Sequence, residues 1–343
     1  MAPHADSPIS TSPPSSDPFS KAPPTAVPPL YVNDGLLSPA SIALLRPSSP
    51  SEPLHVLRAR YQSDGYLFLK HLIPRADVLA CRTSYFHHLL PSGIASPLTP
   101  PCAGIFNPAR SPTDFPGIGT SIPPAFRSLP LSSSSRSPPT PNPGTRKTSA
   151  STQPWSPSWR PSQAGAHARC ASNARSSRNN VPGQKAIGVH YDQIFLRHGA
   201  AESVTAWVPI GDVAVDGGGL IYLERGREVG EEQEGEFGRL ADGKGTSDEE
   251  RRFAFNGNMA ASGLLDEGSG PKEYGERAGR RWLVAEYEAG DVVLHNPYAV
   301  HASTVNHDKE GRIRLATDIR FVDREGDWDT RWAKDYFKFD DGL

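Results

Sequence analysis

Lys185-Ala-Ile-Gly-Val-His190-Tyr-Asp192-Gln-Ile-Phe195 is the stretch on which the fold turns. Its residues alternate as in a strand that buries one face, and a period of two puts His190 and Asp192 side by side on the same face. A histidine and a carboxylate so placed can hold a metal. Downstream, Ser203-Val-Thr-Ala-Trp-Val-Pro-Ile210 reads as a second strand, and Asp216-Gly217-Gly218-Gly219 as a tight turn into Leu220-Ile-Tyr-Leu223. The glycine run is no phosphate loop, because no Lys-Ser/Thr pair follows it and no helix opens there. Trp282-Leu-Val-Ala285 and Asp291-Val-Val-Leu294 read as two more strands, and His295 and His301 follow the second. From Arg312 the alternation is clean: Ile313, Leu315, Thr317, Ile319 and Phe321 share one face, and Arg312, Arg314, Ala316, Asp318 and Arg320 the other. A cationic face behind an apolar one makes sense if it lines a cavity that holds an anion. Salt bridging at a sheet edge is the alternative.

His-x-Asp, a distant second histidine and an arginine soon after it form an ordered set. Two imidazoles and one carboxylate on one face of a metal leave three positions open, the arrangement of non-haem Fe(II) oxygenases. The order His190-x-Asp192, Gly290-Asp291, His301 and Arg312, with Ala206-Trp-Val-Pro-Ile-Gly-Asp212 and Asp216-Gly-Gly-Gly-Leu-Ile-Tyr222 between, resembles the phytanoyl-CoA dioxygenase (PhyH) family of Fe(II)/2-oxoglutarate-dependent oxygenases. The resemblance runs from about Arg178 to about Val322. It is weaker over 54–105, where Asp64-Gly-Tyr-Leu-Phe68 fits a strand between two helices. It implies a mainly β fold with flanking helices and a double-stranded β-helix core, a cupin-like jelly-roll. It also implies His190, Asp192 and His301 as ligands of Fe(II), and 2-oxoglutarate as co-substrate with its far carboxylate held by Arg312, Arg314 being the runner-up. A guanidinium suits that task because it stays charged and offers paired donors in the plane of a carboxylate. O2 and a small-molecule substrate, lipid-like or a secondary metabolite, complete the implied partners, with succinate and CO2 as co-products. His295 is an alternative distal ligand and His198 a lesser candidate. Asn180 and Lys185 either meet co-substrate or substrate, or shape the turn at Pro182-Gly183. Two other readings stay open: a barrel that binds metal or ligand without turnover, and a cupin-like metalloprotein that does not use 2-oxoglutarate.

A hydrophobic fraction of 36% with 35 Pro and 31 Gly in 343 residues indicates that part of the chain is unpacked. The expected organisation is a disordered Pro/Ser-rich tail over 1–53 and a single oxygenase domain over 54–343. Within the domain, helices are expected over 54–61 and 73–90, a strand over 65–69, and an acidic loop or lid over 228–280. An aromatic C-terminal helix would carry Trp328, Trp332, Tyr336 and Phe337. Residues 97–178 are of low complexity: half of 121–160 is Ser or Pro, and no Asp or Glu occurs between Phe115 and Tyr191. Such a stretch is a flexible basic segment that touches phosphate or an acidic partner, a disordered insertion, or the translation of a retained intron or shifted frame. A formal charge of -2 argues against a globally basic nucleic-acid binder. Three cysteines without zinc-ligand spacing fit a reducing compartment. No span is apolar enough for a membrane helix and no signal peptide is evident, so the expected location is cytoplasmic.

Overall fold

The computed structural model describes residues 27–115, 169–200, 202–250, 265, 269–323 and 325–330. Four short strands open it: β1 (Tyr31–Val32), β2 (Gly35–Leu36), β3 (Ile42–Leu44) and β4 (Pro47–Ser48). Then come α1 (Leu54–Asp64), β5 (Tyr66–Leu69) and α2 (Arg75–Leu89). Gly65 ends α1 at φ +76 and donates its N–H to Tyr61 O, a left-handed cap that also turns the chain directly into β5. The barrel follows: β6 (Arg169–Asn180), the helical turn α3 (Gln193–Leu196), β7 (Val204–Pro209), β8 (Leu220–Leu223), α4 (Gly226–Gly243), α5 (Pro271–Ala278), β9 (Trp282–Val284), β10 (Val292–His295), β11 (His301–Ser303) and β12 (Arg314–Asp323).

The strands make a six-stranded sheet in the order β4-β5-β10-β7-β12-β6 and a four-stranded sheet in the order β11-β8-β9-β3. The segment leading to His190 adds a further rung on the open side of β11. There His190 and His301 exchange both backbone hydrogen bonds, and Ser303 N donates to Ile187 O. Counted from β6, with that rung as the second strand, the larger sheet reads sixth-third-eighth-first and the smaller reads second-seventh-fourth-fifth. This is the winding of a double-stranded β-helix, a jelly-roll, and its two sheets face one another without closing. β5 and β4 extend the larger sheet beyond β10, and β3 extends the smaller beyond β9.

Three apolar layers hold the sheets. Between them, Tyr66, Phe68, Trp207, Val293 and Ala316 meet Leu220, Tyr222, Leu283 and Tyr287. Outside the larger sheet, Leu67, Leu69, Ala206, Val208, Leu294, Leu315 and Ile319 pack on Leu57, Tyr61, Val78, Phe86 and Leu89 of α1 and α2. Outside the smaller sheet, Ile221, Leu223, Trp282 and Val284 pack on Leu30, Val32, Leu37 and Tyr274. A fully buried side chain such as Phe86 or Trp282 is worth roughly 1.5–3 kcal/mol in transfer free energy.

The fold differs from the sequence reading in four places. It begins by Val27, not Pro53. Leu30, Val32, Leu37 and Leu45 are too sparse to form a core of their own, but each is buried against the barrel, and β3 and β4 join its sheets. Of the low-complexity stretch, residues 97–115 are ordered beneath α2, where Phe106 and Phe115 reach the core, and β6 begins at Arg169. The acidic run over 228–243 is not a loop: it is the body of α4, and α5 follows where a lid or a helical insertion is the sequence reading. The strand read through Phe195 stops near His190, and α3 begins at Gln193. The tail over 1–26, the remaining low-complexity residues 116–168, and Trp332, Tyr336 and Phe337 lie outside the described residues. Among the described residues no helix is long and apolar enough to cross a membrane.

Candidate metal centre

His190 and His301 belong to paired rungs of the smaller sheet, so their rings leave one face together, with centroids 4.2 Å apart. Asp192 comes to the same point from the start of α3. Ligand atoms of these three residues all lie within 4.8 Å of one another, and the residues are 6%, 4% and 4% exposed. His190 Nδ1 lies 2.9 Å from Gly188 O and His301 Nδ1 lies 2.8 Å from Ala299 O. A backbone carbonyl accepts only, so each Nδ1 carries a proton, and each ring when neutral offers its Nε2 lone pair to a metal. Burial and the neighbouring His190 and His295 hold the His301 imidazole well below its usual range, so it is neutral as a ligand must be. Burial alone would raise the Asp192 carboxyl, but Arg320 and His295 outweigh it and keep the group ionised far below the usual range. Two neutral imidazoles and one carboxylate suit a divalent first-row cation, and Fe(II) among them.

The carboxylate of Asp192 is itself held. Its Oδ2 accepts from Thr205 Oγ1 and lies 3.3 Å from His295 Nε2, while Arg320 Nη2 stands 3.8 Å from Oδ1. His295 Nδ1 lies 3.1 Å from Tyr222 OH. His295, the alternative distal ligand, thus hydrogen-bonds to Asp192 and is outside the metal-competent trio. His198 follows α3 and is also outside it. Sequence reasoning did not pick out Thr205 or Tyr222. A signal for Thr205 existed, since it is the only hydroxyl in a strand otherwise apolar (Val204-Thr-Ala-Trp-Val-Pro209).

The two arginines read as carboxylate anchors separate. Arg312 precedes β12, its side chain 40% exposed, and its guanidinium pairs with Asp308 and Glu310. Arg314 is 4% exposed, on the strand face that carries Ala316 into the layer between the sheets, and its Nε donates to Gly218 O at 2.9 Å. Asn180 stands directly opposite Arg314 across the β6–β12 pair and is buried. Its amide oxygen has no hydrogen-bond partner among the described residues. Lys185 is exposed, two residues past Gly183, which turns at φ +75. That arrangement fits the turn-shaping alternative for Lys185.

A second trio with metal-like spacing, His71, Glu288 and Asp291, lies at the β5–α2 connection. Lys70 Nζ already bonds both carboxylates, and fully buried Asp291 also accepts from His71 N and Glu288 N. An ammonium fills the place a cation would take, so Gly290-Asp291 is a structural tie between β5 and β10.

Among solved structures, the chain is similar to AviO1 from Streptomyces viridochromogenes Tue57, at 14% identity over 80% of this chain and 96% of that one, with a TM-score of 0.42. It is similar to EctD from S. alaskensis with bound Fe, at 12% identity over 81% and 82%, TM-score 0.39. A third is the epimerase SnoN in complex with Fe3+, alpha ketoglutarate and nogalamycin RO, at 14% identity over 79% and 83%, TM-score 0.39. No curated protein sequence matches the chain. The fold assignment rests on the strand order itself. Residues 161–314, which include His190, Asp192 and His301, match the family model of phytanoyl-CoA dioxygenase (PhyH), and over that stretch the chain carries the family resemblance read from its motifs.

Proposed function

We propose that this protein is an Fe(II)/2-oxoglutarate-dependent dioxygenase that hydroxylates a C–H bond of a small organic molecule, lipid-like or a secondary metabolite, with release of succinate and CO2. The observation that carries the reading is the buried trio His190, Asp192 and His301, its ligand atoms within 4.8 Å, inside a jelly-roll segment that matches the PhyH family model. Fe(II) with 2-oxoglutarate, when bound, supplies the oxidising power, one oxygen of O2 passing to substrate and the other to succinate.

The chain's own residues bind and orient. His190 and His301 present Nε2, each ring fixed by its Nδ1 contact to a backbone carbonyl. Thr205 and His295 hold Asp192 Oδ2. Of the two arginines, Arg314 is the better placed to anchor the far carboxylate of 2-oxoglutarate, because it is buried on the inner face beside Asn180 while Arg312 is engaged by two carboxylates near the surface.

The test is anaerobic loading with Fe(II), addition of 2-oxoglutarate and air, and measurement of succinate. Wild type is expected to form succinate even without its substrate, and His190→Ala, Asp192→Ala and His301→Ala to form none. A folded chain that binds Fe(II) yet never consumes 2-oxoglutarate, with or without candidate substrates, would falsify the proposal and leave the cupin-like or non-catalytic barrel.

A further inference from the structure

Helix α4 lies between β8 and β9 in the chain and contributes no ligand, yet it touches both segments that do. From one side, Glu234 accepts the hydroxyl hydrogen of Tyr191 at 2.6 Å and a two-pronged pair from Arg197 Nε and Nη2 at 2.8 and 2.9 Å. Tyr191 is the residue between His190 and Asp192, its ring 2% exposed, and Arg197 caps α3. One carboxylate therefore fastens both flanks of the segment that carries Asp192. Phe237, one turn on, lies under the Arg197 guanidinium at 3.8 Å and keeps that fork flat against the helix.

From its other side, α4 rests on the approach to the third ligand. A Cβ at Gly226 would sit 3.1 Å from Val300 N and O, and one at Gly230 would sit 2.1 Å from Tyr298 O. Gly230 has to be glycine for the helix to lie this close to residues 298–300, which lead directly into His301, and a Cβ at Gly226 would press on Val300 by a few tenths of an ångström. The three ligand residues thus share a single backing element.

We infer that α4 is a brace for the metal centre and that Glu234 is its positioning residue, an inference that rests on the iron reading above. The physical argument is geometric. A histidine and an aspartate two residues apart bind a cation well only if the backbone between them is fixed, since a small rotation at Tyr191 swings His190 and Asp192 apart. Tyr191 points away from the metal and is held at its tip by a charge-assisted hydrogen bond, which pins that rotation. The carboxylate is kept in place by Arg197, whose side chain is only 8% exposed.

The experiment is anaerobic titration of the full chain with Co(II), followed by its visible absorption, beside the melting temperature of the metal-free protein. Glu234→Gln and Tyr191→Phe are compared with Glu231→Gln, which removes the same charge from the exposed side of the same helix. Glu234→Gln and Tyr191→Phe are expected to weaken Co(II) binding by about tenfold, with a changed Co(II) absorption envelope, while Glu231→Gln matches wild type. If Glu234→Gln lowers the metal-free melting temperature but binds Co(II) as wild type does, α4 is ordinary scaffold and the inference is overturned. Equal losses in Glu234→Gln and Glu231→Gln overturn it too. A wild-type chain that takes up no more Co(II) than His190→Ala sinks the iron reading and the brace with it, whereas normal uptake in both wild type and Glu234→Gln sinks the brace alone.

Discussion

Arg312 and Arg314 have the same charge and reach and differ in burial. Arg312 has Asp308 and Glu310 on its guanidinium, and a dicarboxylate would have to displace both. Arg314 has met its desolvation cost in folding and lies on the strand face that carries Ala316 into the layer between the sheets. A charged hydrogen bond to a carboxylate is worth roughly 1.5–3 kcal/mol, so Arg314→Ala is expected to raise the KM for 2-oxoglutarate by about tenfold or more and leave Fe(II) affinity unchanged. Arg312→Ala should stay within about threefold of wild type. Steady-state succinate assays over a range of 2-oxoglutarate concentrations decide it, and a larger effect at Arg312 would return the anchor to the residue favoured by motif spacing. The trio itself was legible because His-x-Asp, a later His and an Arg form an ordered set with compatible spacing, which His-x-Asp alone would not. Its supports were not, because Thr205, Tyr222 and Glu234 are ordinary residues whose meaning depends on what the fold brings opposite them.

At the scale of elements, α4 shows how composition misleads. Gly226, Gly230, Gly235, Gly238 and Gly243 within one stretch, among many acidic residues, read as a solvated loop, since each interior glycine costs a helix roughly 0.5–1 kcal/mol relative to alanine. The helix forms because docking on 298–300 and on Arg197 offsets that cost, and such contacts cannot be seen in the local sequence. Two of these glycines therefore predict opposite outcomes. Nothing lies within 4 Å of a Cβ at Gly238, so Gly238→Ala is expected to stabilise the protein by about 0.5–1 kcal/mol. Gly230→Ala would drive a methyl into Tyr298 O and should destabilise by more than about 1 kcal/mol. Urea denaturation of the two variants checks both signs. The β-strands were easier to read: β7, β8, β10 and β12 alternate or run apolar over lengths that suit strands. The N-terminal strands β1 to β4 were missed, because two or three residues carry no period and their burial depends on sheets formed far along the chain.

At the scale of the whole molecule, the buried cation of Arg82 ties four segments together. Arg82 on α2, 5% exposed, donates Nε to Cys102 O, Nη1 to Ile210 O, and Nη2 to Ala103 O and Ile313 O, at 2.9 to 3.2 Å. Burial, reinforced by Arg312, pushes its guanidinium down to about 10, so it remains charged at neutral pH. It joins the helical layer, the ordered part of the low-complexity stretch, the end of β7 and the start of β12. Arg82→Met keeps the bulk but leaves four carbonyls without their donor, and a loss on the order of 3–5 kcal/mol is expected. The signature is a lower urea midpoint at unchanged slope, and a loss below about 1 kcal/mol would mean that water replaces the guanidinium at these carbonyls.

The rung that sets His190 against His301 has a consequence for the order of assembly. Ile187 and Ser303, hydrogen-bonded beside that pair, are 116 positions apart in sequence. Closing so long a loop is among the slowest and latest events in building a sheet. On the proposed reading, an ion held by both histidines would act late in folding, unlike zinc in a finger. It would meet a chain whose second and seventh strands have already come together, and metal uptake during refolding would serve as a clock for that step.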